Sequence, residues 1–158
     1  MGLGRSLYEE VKIMEIREVQ REDLQGLLVL YTQLHDNEIP EKTIQLQELW
    51  ERILEDKNHH ILVGVEDEQI ICSVVLVVIP NLTHEQRPYA LIENVVTHGA
   101  YRHKGYATRV LEAAKEKAKA SNCYKMMLLT GSKLESTLKF YEHAGYNRED
   151  KTAFIQWL

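Results

Sequence analysis

Apolar positions change their period along this chain, and each change marks an element. Residues 13–19, IMEIREV, alternate apolar and charged side chains, the period of a half-buried strand. Leu24, Leu27, Leu28, Tyr31 and Leu34 then recur at helical spacing and predict a first helix, broken by Pro40. Leu46, Leu49, Trp50, Ile53 and Leu54 form a second stripe. NHHILVGVE (58–66) reads as a strand, DEQ (67–69) as a hairpin turn, and IICSVVLVVIP (70–80) as a β-branched strand too apolar to present a face to water. NLTHEQR (81–87) is a loop, and PYALIENVVTH (88–98) is a further strand. Ala107, Val110, Leu111, Ala114 and Ala118 line one face of a third helix, with lysines and glutamates opposite. CYKMMLLT (123–130) reads as a strand, and LESTLKFYEHAG (134–145) as a short helix closing at Gly145. YNREDKTAFIQWL (146–158) supplies the last strand or pair. The order is β-α-α-β-β-β-α-β-α-β, one mixed α/β layer structure of α+β type over residues 13–158. Residues 1–12 read as a loose leader, because the regular pattern begins only at Ile13.

Composition narrows the function classes. The chain has 158 residues, enough for one domain with a real core. Its net charge of −5 argues against nucleic acid as a partner, because a phosphate backbone needs a broad basic face. The two cysteines, Cys72 and Cys123, stand in or beside apolar runs and read as buried free thiols rather than a disulfide framework. That usage, with no apolar signal core, points to the cytoplasm. The longest apolar run, Val74 to Ile79, is too short to span a bilayer, so no membrane partner is expected. The histidines lack metal-site spacing, and no metal is expected.

One stretch asks for a ligand. YRHKGYAT (101–108) joins a strand to a helix and carries Arg102, His103 and Lys104 before Gly105. It is neither a Walker loop, since Gly99 and Gly105 are one residue too far apart, nor a three-glycine dinucleotide fingerprint. What remains is Arg102-x-x-Gly105-x-Ala107. A helix start leaves amide groups without intrahelical partners, and these, with the helix dipole, attract an anion. Gly105 and Ala107 allow close backbone approach. A pyrophosphate suits this geometry; a solvated basic turn is the competing explanation, and the motif alone does not separate them.

The span IENVVTHGAYRHKGYATRVLEAAKEKA resembles the acetyl-coenzyme A motif of the GNAT superfamily of N-acetyltransferases, [Q/R]-x-x-G-x-[G/A]. FYEHAGY (140–146) resembles that family's later motif, in the family's order, and the likeness runs from about residue 13 to the end. The resemblance implies a mixed, mostly antiparallel sheet of six to seven strands flanked by four helices, with acetyl-coenzyme A as cosubstrate. Backbone groups of Val95, Val96 and Thr97 would pair with the pantetheine arm, in a slot where strands 88–98 and 123–130 splay apart. The backbone of Arg102, His103, Lys104, Gly105, Tyr106, Ala107 and Thr108 would hold the pyrophosphate. The sequence departs from the pattern at Gly99, often proline, and at Leu134, often an asparagine that meets the pantetheine arm; Ser132 or Ser136 could substitute.

The implied reaction moves an acetyl group directly from the cofactor to a primary amine, with a small molecule as the expected acceptor and no acyl-enzyme. A peptide amine and a non-catalytic acyl-coenzyme A sensor are the alternatives. Glu93 is the candidate base: it interrupts an apolar strand, where a bare charge is costly, and so is expected to face the cleft. A structural carboxylate at a strand edge would look the same, and His98 is a second choice of base. Tyr141 matches the family's usual general acid, although spacing alone would pack it with Leu134 and Leu138. An amide near Val96 would polarise the thioester carbonyl. Tyr31, Trp50 and Tyr89 are candidates for the acceptor pocket, the first two fitting core stripes better. The AFIQWL segment offers a route to a homodimer and equally a strand that finishes the core.

Overall fold

Alternation around Met14 to Glu18 becomes β1 (Glu15–Glu18) in the computed structural model, which describes residues 13–158. The leader assigned to residues 1–12 lies outside the described residues. A 3-10 turn at Arg21–Asp23 leads into α1 (Leu24–Tyr31), and α2 (Ile44–Glu55) follows. The stripe predicted a longer first helix, through Leu34. It stops earlier because His35 and Asp36 adopt positive φ (54° and 52°) and the Asn37 side chain bonds the Leu34 carbonyl. Thr43 caps α2, its hydroxyl accepting from the Leu46 amide at 3.1 Å.

β2 (His59–Glu66) and β3 (Gln69–Ile79) form a hairpin whose two turn residues, Asp67 and Glu68, both have positive φ. β4 (Tyr89–Thr97), α3 (Tyr106–Ala120), β5 (Met126–Leu128) and α4 (Glu135–His143) complete the elements. The sheet runs β1-β2-β3-β4-β5; the first three pairings are antiparallel and β4–β5 is parallel. It has five strands where six to seven were expected. β5 keeps three residues of the eight predicted, and residues 146–158 form no strand. The reason is pairing: apolar, β-prone residues become a strand only where an edge accepts their backbone.

Both faces of the sheet are covered, as the unbroken apolar run of β3 predicted. On one face Met14, Leu62, Cys72, Val74, Leu76, Ala90 and Ile92 pack under Val110, Leu111, Ala114 and Ala118 of α3. On the other, Ile61, Val63, Ile70, Val75 and Val96 pack under Leu27 and Leu30 of α1 and Trp50 of α2. Trp50 satisfies its indole by donating to the Arg21 carbonyl at 2.9 Å. Cys72 is buried, but Cys123 is only half-buried, a correction to the expectation for it. No helix among the described residues is long and apolar enough to cross a membrane.

The feature that shapes the site is an irregularity in β4. Val75 faces Glu93 and Ser73 faces Val96, so Asn94 and Val95 together oppose Val74. Asn94 takes φ 50°, and the extra residue is a β-bulge. Pairing of β4 with β5 ends just before it, at Ile92–Leu128. Beyond that point the two parallel strands have no ladder between them.

Candidate active site

The end of the β4–β5 ladder after Ile92 leaves an opening between the bulged half of β4 and the chain after β5. Residues directly opposite in an antiparallel pair share a face. Glu93, opposite Val75, therefore points to the α1/α2 side of the sheet, where it is exposed. Val95 packs toward the α3 cluster, and Val96 is buried toward α1. Thr97 is half-buried, with a hydroxyl that lacks a hydrogen-bond partner.

The loop into α3 is held from several directions. The His98 amide donates to the Ile71 carbonyl at 2.7 Å, and His98 Nδ1 accepts from the Ala100 amide at 3.1 Å. Gln33 Oε1 reaches across from the end of α1 to accept from the Gly99 amide at 2.6 Å. Arg102 donates to the Thr97 carbonyl at 3.3 Å, and Lys104 Nζ stands 5.2 Å over the Tyr101 ring. His103 (φ 60°) and Gly105 (φ 78°) both enter the left-handed region and turn the chain into the helix. Gly105 is the N-cap and supplies no side-chain cap. Among the described residues, nothing accepts from the amides of residues 103–108. A side chain at Gly105 would project into open space, so the N-cap position is uncovered. The basic residues and free donors fit a diphosphate.

Two of the residues expected there have other engagements. The Tyr106 hydroxyl turns back to Glu66 Oε2 at 3.5 Å, leaving only its backbone for a ligand. Ser132 is committed to the start of α4: it donates to Thr137 Oγ1 at 3.1 Å and accepts from the Leu134 amide at 3.3 Å. Ser136 is exposed, as is Leu134. Thr108 is exposed and Ala107 half-buried.

Tyr141 projects from α4 against the α3-side cluster, edge-on to Phe140 (5.1 Å) and Tyr146 (6.1 Å). Burial pushes its phenol up from the usual value, so it keeps its proton at neutral pH. No hydrogen bond holds its hydroxyl among the described residues, unlike a phenol that is merely pinned in place. Glu93 and Tyr141 thus belong to opposite faces of the sheet.

The acceptor-side aromatics divide. Trp50 is core. Tyr31 is mostly core too, but its hydroxyl is buried facing Ser73 and Asn94 without a well-formed bond. Tyr89 stands at the far end of β4, beside Tyr124 and under Lys125 Nζ, away from the opening. Sequence reasoning missed Asn94, Ser73 and Gln33. Polar residues inside or just after apolar runs were the available signal. Among the described residues no group of three His, Cys, Asp or Glu side chains could hold a metal ion.

Comparison with known proteins gives a consistent answer. The family model of the acetyltransferase (GNAT) family matches residues 13–146. A solved structure described as "Putative acetyltransferase from Agrobacterium tumefaciens str. C58" is 37% identical, with a TM-score of 0.85 over 91% of this chain and 99% of that one. Glucosamine-6-phosphate N-acetyltransferase from Arabidopsis thaliana has the same fold, with 22% identity, a TM-score of 0.80, and 93% and 99% of the two chains covered. So does aminoglycoside N-acetyltransferase AAC(6')-Iy, solved in complex with CoA, at 17% identity and a TM-score of 0.77 over 96% and 99%. No curated protein matched in sequence. With the family match spanning most of the chain and the ladder interrupted beside a free-amide helix start, the chain belongs to the acetyltransferase (GNAT) family.

Proposed function

We propose that this protein transfers an acetyl group from acetyl-coenzyme A to the primary amine of a small molecule, directly and in a ternary complex. The observation that carries the reading is the bulge at Asn94, which ends β4–β5 pairing beside the unpartnered amides of α3. The amides of residues 102–108, with Arg102 and Lys104, would hold the pyrophosphate. The freed edge of Val95 to Thr97 would pair with the pantetheine arm as an added strand does. The cofactor supplies the activated acyl group.

The chain's own residues then handle protons. An alkyl amine has a pKa of about 10.4, so on the order of one molecule in a thousand is nucleophilic at neutral pH, a deficit of roughly 4 kcal/mol. Glu93, exposed on the α1/α2 face, would take the amine proton, directly or through one water; its exposure and its place beside the bulge support this role. Tyr141, protonated and on the other face, would give a proton to the departing thiolate. An acid and a base on opposite sides of one opening avoid neutralising each other. A small acceptor is favoured by two relatives named for aminoglycoside and amino-sugar acetylation.

The deciding experiment combines thermal shift by acetyl-coenzyme A with thiol release across a panel of amines. Stabilisation with turnover on at least one small amine is expected. Stabilisation without turnover on any amine would mark a sensor, and turnover only on peptides would move the acceptor class.

A further inference from the structure

A glycine joins the two candidate cofactor-binding pieces. The freed edge at Val95 and Val96 ends with β4 at Thr97, and the loop amides begin at residue 102. Between them Gly99 opens a 3-10 turn, Gly99–Tyr101, with φ outside the left-handed region. Glycine has the most conformational freedom of any residue, so the two pieces would drift relative to each other if nothing held this point. The first amide of a helical turn also lacks a partner within the turn. Here the Gly99 amide donates to Gln33 Oε1 at 2.6 Å, on a residue 66 positions earlier in the chain.

Gln33 gives that bond a fixed footing. It stands two residues past α1, where the chain is still wound. The Gln33 amide donates to the Leu30 carbonyl at 3.0 Å, the Thr32 hydroxyl to the Val29 carbonyl at 2.7 Å, and the Leu34 amide to the Tyr31 carbonyl at 3.0 Å. Leu30 roots this turn in the core, and Tyr31 turns its hydroxyl toward Ser73 and Asn94 at the bulge. The end of α1 therefore meets the segment 94–99 at both of its ends. Gln33 itself is exposed, and holding one pose costs it rotamer freedom that the bond offsets. A backbone amide can only donate, so the side chain presents its oxygen.

We propose that Gln33 is a positioning residue for the cofactor: through the Gly99 amide it fixes the loop of residues 102–108 relative to the freed edge at Val95 to Thr97. The inference rests on the cofactor reading given above. Gln33 touches no reacting atom in this role. It sets the spacing between two pieces that a single ligand must span. A diphosphate held by one piece and a pantetheine arm held by the other bind together best when that spacing is set in advance. Losing Gln33 should therefore weaken a ligand that spans both pieces more than one that meets the loop alone.

The test is calorimetric titration of the full chain with coenzyme A and with 3′-phospho-ADP, which lacks the pantetheine arm. Gln33→Met keeps the size of the side chain but removes the acceptor. Coenzyme A should bind it about tenfold more weakly, the worth of one hydrogen bond, and 3′-phospho-ADP as tightly as wild type. Gly99→Pro supplies the rescue. Proline suits the first position of a helical turn and has no amide to satisfy, and His98 before it is already extended (φ −52°, ψ 134°). The exposed Gln33 side chain swings aside to admit the ring. In the Gly99→Pro background Gln33→Met should leave coenzyme A affinity unchanged, because there is no bond to lose. Hydrogen exchange reads the same bond without a second substitution: the Gly99 amide should exchange about tenfold faster in Gln33→Met. Unchanged coenzyme A affinity in Gln33→Met, an equal loss for both ligands, an equal loss in both backgrounds, or unchanged Gly99 exchange would each overturn the proposal. A wild-type chain that binds no coenzyme A would overturn the cofactor reading and this inference together, whereas binding that survives Gln33→Met intact overturns this inference alone.

Discussion

Tyr141 and Glu93 show how differently two candidate side chains reveal themselves. Glu93 was legible because a carboxylate in the middle of an apolar strand must have somewhere polar to go, and it faces solvent on the α1/α2 side. Tyr141 was not legible from spacing, since an aromatic three residues after Leu138 is what any helix stripe provides; only the family likeness singled it out. Its surroundings now separate structure from chemistry. The ring packs against Phe140, Tyr146 and the α3 cluster, while the hydroxyl has no partner to lose. Tyr141→Phe keeps the ring and should leave the melting temperature and cofactor affinity close to wild type. Turnover should fall by about 100-fold, the lower end of what a general acid contributes. Steady-state kinetics beside a cofactor titration checks this; an unchanged kcat would remove Tyr141 from proton transfer. Asn94 was hidden for another reason. A bulge is a mismatch between two strands, and a single strand's sequence carries no record of its partner's register.

At the scale of elements, helices and long strands were readable because their signal is internal. The stripe on α3 closes on residues that are buried; on α2 only Trp50 is buried and Leu49 is exposed, and Thr43 and Gly105 mark starts that a sequence can show. β5 and the C-terminal segment were overestimated, because a strand's existence depends on a neighbouring edge. The start of α3 is the element on which the proposed function turns. Gly105 sits at φ 78° with open space where a side chain would project. Gly105→Val would put a β-branched residue in the left-handed region, at a cost of about 1–2 kcal/mol. That predicts a melting temperature lowered by only a few degrees, with the far-ultraviolet spectrum intact. The isopropyl group would occupy the space in front of the free amides. Stabilisation by coenzyme A should therefore disappear, as measured by thermal shift or calorimetry. Undiminished binding would place the diphosphate elsewhere.

Across the whole molecule, two carboxylates fasten β1 to its surroundings. Asp23, just before α1, accepts from Arg17 of β1 at 2.6 Å and from the Gln20 amide at 2.6 Å. Arg17 holds its carboxyl below the usual range, against the opposing effect of burial. Glu18, at the end of β1, meets Lys117 of α3 at 2.6 Å and His60 of β2 at 3.0 Å. Burial pushes Glu18 up, but Lys117 and His60 outweigh it and leave its carboxyl below the usual range. The folded state thus binds these two protons more weakly than the unfolded chain does. Their stabilisation is fully present above the ordinary carboxylate range and is lost as pH falls through the lowered folded values. Their contribution should be level from neutrality down to about pH 5 and should decline below that. Asp23→Asn tests the attribution, because it removes the charge that Arg17 pairs with while keeping the size of the side chain. Its melting temperature should lie below wild type at pH 7, and the gap should narrow steadily as pH falls below the ordinary carboxylate range, where the wild-type carboxyl takes up its own proton. A gap that stayed constant with pH would mean that Asp23 acts through its shape and backbone contact alone, and that acid sensitivity originates elsewhere.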